Sequence, residues 1–102
     1  MAKTKKQLYA ELEVLKNELP RREAIAALLE TDGFKLAVEE YKSRFKSAID
    51  DEDKKEISAC KKTLDLIIDF QGFLTKQKQR AEKLPEIIAD IEFDLQQGNL
   101  FE

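Results

Sequence analysis

Histidine and tryptophan are absent from this 102-residue chain, and cysteine occurs once. Without histidine there is no imidazole to activate a serine or cysteine nucleophile, and the Glu-x-x-His pairs of helical di-metal sites cannot be assembled. The single Cys60 cannot close an intramolecular disulfide, which fits a reducing compartment. Three isolated glycines make no phosphate-cradling loop. With only two prolines beside them, they leave little room for a turn-rich all-β fold. No apolar run approaches the roughly 18 residues needed to cross a membrane. Residues 1–6 lead into an amphipathic pattern, not the apolar core of a secretory signal.

What the chain does hold is apolar residues at alternating steps of three and four. Leu8, Leu12, Leu15 and Leu19 make one row; Phe34, Val38, Tyr41, Phe45 and Ala48 a second; Ile57, Cys60, Leu64 and Ile67 a third. That spacing sets each row on one face of a helix. Charged residues make up 38% and hydrophobic ones 42%, a mixture suited to helices with one wet and one dry face. The length admits one domain, residues 1–102, with a small core. The net charge of -3 is mild, but it is unevenly spread. Residues 76–83 hold four bases and one acid, whereas residues 85–102 hold five acids and no base.

Punctuation divides the pattern into helices. Thr4 and Gln7 have the spacing of a capping box, in which each side chain satisfies the other's backbone donor. A first helix then runs to about residue 19 and stops at Pro20, which makes residues 1–19 a separable element. A second helix is predicted for residues 21–30. Thr31, Asp32 and Gly33 mark a boundary, with Gly33 free to adopt a positive φ and Thr31 or Asp32 placed to cap the next helix. Helices at about 34–49 and 53–83 are joined by the acidic turn Asp50, Asp51, Glu52 and Asp53, and so short a link makes them an antiparallel hairpin. Leu64, Leu66, Ile67, Ile68, Phe70, Phe73 and Leu74 are apolar around more than one side of the later helix, which predicts the centre of the fold or of an oligomer. Gly72 within it marks a kink or a close contact, and Gln71 falls in the seam. Pro85 opens a fifth helix that Gly98 ends, leaving residues 98–102 as a tail. Pro20 to Gly33 and Pro85 to Gly98 share one internal spacing, a weak sign of a repeated unit.

No constellation points to catalysis, a cofactor or a metal. The acids at residues 50–53 are contiguous and lack the central glycine of a calcium loop, so they read as a solvated turn beside a helix N-terminus. Cys60 reads as a small buried hydrophobe. Lys76, Lys78, Arg80 and Lys83 offer a basic patch that phosphate contacts would bind weakly, with Arg21 and Arg22 expected nearby; a nucleic-acid partner is therefore the lesser expectation. The row Leu8, Leu12, Leu15 and Leu19 is regular enough for association with a partner chain or a second copy.

Two stretches resemble known proteins. Thr31, Asp32, Gly33, Phe34, Lys35 and Leu36, with a helix, an acidic turn and a second helix with a glutamine before its end coming after them, resemble a group of small tailed-phage proteins of uncharacterised role. Those proteins carry Gly-Trp where this chain has Gly33 and Phe34, and the resemblance covers less than half the chain. It implies a phage origin and a helical hairpin, and no activity. At the other end, residues 97–101 resemble the Gln-x-x-Leu-Phe peptide with which bacterial replication proteins dock on the sliding clamp. That resemblance implies that Gln97 enters a polar subsite while Leu100 and Phe101 fill an apolar pocket. Gly98 and Glu102 depart from the peptide's usual pattern. Alternatively, Leu100 and Phe101 finish the core beside a helix cap.

The expectation is thus an all-α protein with coiled-coil-like seams. Its expected function is non-catalytic protein binding as a phage accessory or assembly factor in the cytoplasm of a bacterial host. The alternatives are an oligomeric virion or scaffold component, a clamp-binding replication protein, or an accessory protein that contacts nucleic acid.

Overall fold

A computed structural model describes residues 3–97. Helix α1 spans Lys5–Ala26 and passes into a short 3-10 turn, Ala27–Glu30; helix α2 spans Asp32–Asp50 and helix α3 spans Lys54–Gln96. The described residues contain no strand, and the fold is all-α. They form two compact units, one of residues 3–25 with 77–97, the other of residues 26–76.

The first unit packs α1 against the C-terminal half of α3. Leu8, Leu12 and Leu15 are buried with Leu84, Ile88 and Ile91, and Leu19, Ile87 and Leu95 flank them. The leucine row expected to serve association is therefore occupied within the chain. The N-terminus of α1 is fixed as its sequence predicts: the Thr4 N–H donates to Gln7 Oε1 at 2.9 Å, and the Gln7 N–H donates to Thr4 Oγ1 at 3.2 Å.

Neither proline ends a helix. Pro20 lies inside α1 and Pro85 inside α3. Separate helices over residues 21–30 and from residue 85 are thereby corrected. The physical reason is the side on which each ring sits. Both prolines are exposed, Pro20 on the side of α1 away from the buried Leu15 and Pro85 at the border of the buried Leu84 and Ile88. Each ring removes one N–H from the helix ladder, that of Pro20 opposite the carbonyl of the exposed residue Lys16. Buried apolar contacts on the inner side outweigh the lost bond. Gly33 lies within the first turn of α2 instead of ending a helix, and Gly98, its counterpart in the proline–glycine spacing, is outside the described residues.

The second unit is the hairpin of α2 with the N-terminal part of α3. Thr31 caps α2, its side chain accepting from the Phe34 N–H at 3.3 Å. At the far end the Glu52 N–H donates to the Ile49 carbonyl at 3.1 Å, and the Asp53 N–H donates to the Ala48 carbonyl at 3.0 Å. This crossed pair is a Schellman cap, and it puts Glu52 in the left-handed region at φ 55°. Asp53 then caps α3, accepting from the Glu56 N–H at 3.2 Å. The acidic turn is therefore a hinge of two caps back to back. It returns the chain antiparallel, so that Arg44 meets Glu56 near the turn and Phe34 meets Phe70 far from it.

The core of this unit is thin. Ala26, Val38, Ala48, Cys60 and Leu74 are buried, whereas Tyr41, Phe45, Leu64 and Ile67 are only half-buried. Leu66, Ile68, Phe70 and Phe73 are exposed. Among the described residues the apolar middle of α3 is thus not surrounded, which corrects its placement at the centre of a monomeric fold.

Candidate interaction surface

Helical geometry divides α3 into two apolar stripes. Cys60, Ile67 and Leu74 recur every seven residues on one side of α3, with Cys60 and Leu74 buried and Ile67 half-buried. Leu66, Phe70 and Phe73 succeed one another at steps of four and three, about a quarter-turn round the helix. This second stripe is open: Leu66 is 68% exposed, Phe70 42% and Phe73 46%. Its aromatic end is ordered by ring contacts. Phe70 lies edge-on to Phe34 of α2 with centroids 6.1 Å apart, and near-parallel to Phe73 at 6.1 Å, both separations suited to aromatic pairs. Asp69 and Lys76 stand seven residues apart along one border of the stripe, and neither joins an ion pair among the described residues. Nothing lies within 4 Å of a Cβ added to Gly72, so packing inside the chain does not require a glycine there.

A polar cluster joins α1 to α3 in the first unit. Glu18 Oε2 accepts from Arg22 Nε at 3.1 Å and Arg80 Nε at 3.0 Å, and Glu18 Oε1 accepts from Arg80 Nη2 at 3.1 Å. Arg22 Nη1 also donates to Gln77 Oε1 at 2.8 Å. Hydrogen bonds from Arg80, then from Arg22, lower the Glu18 pKa to about 2 against the opposing effect of burial. Both Glu18 oxygens are engaged, which makes the cluster a tie between α1 and α3.

Beside Cys60 lies a small cleft lined by Tyr41, Arg44, Glu56, Ala59 and Thr63. Glu56 accepts from Arg44 and, at 3.4 Å, from the Cys60 thiol, while the Arg44 guanidinium sits 5.8 Å from the Tyr41 ring centre. Burial first, then Glu56, pushes the thiol pKa up. A protonated thiol is a poor nucleophile.

The remaining residues singled out by sequence are dispersed. Of the basic patch, Arg80 is committed to Glu18, and Lys76, Lys78 and Lys83 are exposed. Lys78 projects from a different side of α3 than Lys76 and Lys83, by helical spacing. Arg22 does approach this region, through Gln77, as expected. Gln97 is exposed just after α3, its N–H donating to the carbonyls of Phe93 and Asp94 at 3.3 and 3.2 Å. Leu100 and Phe101 lie outside the described residues. The acids at residues 50–53 form the hairpin turn, and among the described residues no group of three or more acids or cysteines is arranged to hold a metal ion. No described helix is long and apolar enough to cross a membrane.

The open stripe was hidden in the sequence because its residues are interleaved with those of the buried one. The signal was the excess: Leu66, Phe70 and Phe73 exceed what one inner face can absorb. Arg80 as a partner of Glu18 had no local signal, since 62 positions separate them.

Comparison of the chain with models of known protein families, with curated proteins and with solved structures finds no match.

Proposed function

We propose that the chain is a non-catalytic protein-binding protein that acts through the Leu66, Phe70 and Phe73 face of α3. One observation carries this reading: large apolar side chains lie adjacent on a helix face, Phe70 against Phe34 and Phe73 against Phe70, yet are left to solvent. Exposed apolar patches of this kind mark interaction sites, and aromatic anchors commonly dominate their energetics. The phage accessory or assembly role, with a site of action in a bacterial host's cytoplasm or in a virion, rests on the resemblance of residues 31–74 alone.

The test is affinity capture with the full chain as bait, comparing wild type with Phe70→Glu/Phe73→Glu. The expected result is a partner, or a second copy, held by wild type and lost from the variant, while both retain the same helical circular dichroism. Equal capture by both would overturn the assignment of this face.

A second reading is docking of a sliding clamp through Gln97, Leu100 and Phe101. Its support is the exposure of Gln97 at the end of α3. Leu100→Ala/Phe101→Ala is expected to abolish binding to purified clamp without changing the melting temperature. No binding by the intact chain at tens of micromolar, the weak end for a short peptide, would dispose of it.

A further inference from the structure

Building on the binding role of the α3 face, we infer that its occupant is a second copy of this chain, docked antiparallel across a two-fold axis between residues 71 and 72. Charge placement selects both the partner and the register. An isologous contact must be complementary to itself. With the axis between residues 71 and 72, Phe70 of each copy meets Phe73 of the other, and Leu66 extends the contact on either side. The border residue Asp69 then stands beside Lys76 of the second copy, and Lys76 beside Asp69 of the second copy, as flanking charges do in antiparallel helix pairs.

Competing arrangements lose this match. Sliding the axis by half a heptad, so that Leu66 meets Phe70, brings Asp69 of one copy against Asp69 of the other. A parallel pairing sets Asp69 beside Leu74, which is fully buried and offers no charge. Only the first register joins the apolar stripe to opposite charges at both ends.

Size sets the strength. Phe70 and Phe73 are each a little under half exposed, leaving about 100 Å² of each to cover. Together with Leu66 this is far less than the roughly 800 Å² per partner of a standard interface. The pair is therefore weak, with a dissociation constant on the order of 10–100 µM, and mass action governs it.

Sedimentation equilibrium of the full chain from 1 to 500 µM tests this. Wild type is expected to pass from monomer to dimer across that range. Asp69→Lys and Lys76→Asp should each stay monomeric, because each sets two like charges together. Mixed in equal amounts, these two variants should form a heterodimer, since both of its charged contacts are then opposite in sign. Wild type that stays monomeric at 500 µM overturns self-pairing. If such a monomer still captures another protein through Phe70 and Phe73, the binding role of the face stands without it; if it captures nothing, both fall. A wild-type dimer that the single variants leave intact, or variants that fail to pair when mixed, overturns the antiparallel register. Matching circular dichroism of both variants excludes loss of fold as the cause.

Discussion

Glu18 shows how one carboxylate can tie two helices together without forming a site. It collects three hydrogen bonds from two guanidinium groups, and its side chain keeps only 19% of its exposure. The consequence for acid stability has a definite sign. With a folded pKa near 2 and an ordinary value of 4.5, Glu18 binds its proton more readily when the chain is unfolded. Its contribution is complete above about pH 4.5 and is lost as the pH falls from there towards 2. Glu56, lowered first by the Arg44 hydrogen bond, acts in the same direction. Glu18→Gln is expected to cost about 1–2 kcal/mol at pH 7, in the range of a partly exposed charge-assisted pair. Urea melts at pH 7 and pH 3 should show the difference between wild type and variant narrowing at the lower pH.

At the scale of elements, the turn between α2 and α3 is the most fully capped joint and also a strained one. A left-handed residue just past a helix end is usually glycine, yet Glu52 holds that place at φ 55°. Glu52→Gly is expected to raise stability by about 0.5–1 kcal/mol, relief of the left-handed strain being partly offset by the greater freedom of the unfolded chain. Thermal melts compare the two; a lower melting temperature for the variant would show that the Glu52 side chain contributes more than its backbone costs. The hairpin and the Thr31 cap were legible in the sequence because Thr31 and the short acidic link act locally. The glycine cue misled, since Gly33 is helical while the positive φ falls on a glutamate. The prolines misled for another reason. Local chemistry sees the missing N–H, but whether a helix continues depends on which side the ring faces and on what packs opposite it. Pro20 is exposed behind a buried leucine row, and that row carries α1 on to Ala26.

For the molecule as a whole, apolar residues are shared unequally between two bodies. Leu84 is fully buried in the first unit, whereas Leu66 in the second is mostly exposed. Leu84→Ala is expected to cost about 2–5 kcal/mol, through lost transfer energy and a cavity. Leu66→Ala should stay within about 0.5 kcal/mol, as surface changes do. Denaturant midpoints measured at one fixed low micromolar concentration distinguish the two. The rows themselves were readable: Leu8, Leu12 and Leu15 do face inward, and Val38, Ala48 and Cys60 do line the hairpin. What the rows could not reveal was pairing. A leucine stripe reads the same whether its mate is Ile88 of its own chain or a helix of another, and only the three-dimensional course of α3 decides between them.

Cys60 gives this thin-cored hairpin an internal clock. Its thiol is 2% exposed, and its pKa is raised by burial. A thiol reagent therefore reaches it only in molecules where α2 and α3 have momentarily parted. As the chain holds no second cysteine, the alkylation rate counts those openings without a competing signal. When opening and closing are fast beside alkylation, that rate yields the free energy of the local separation. The same feature that removes Cys60 from chemistry in the closed hairpin makes it a reporter of how often the hairpin breathes.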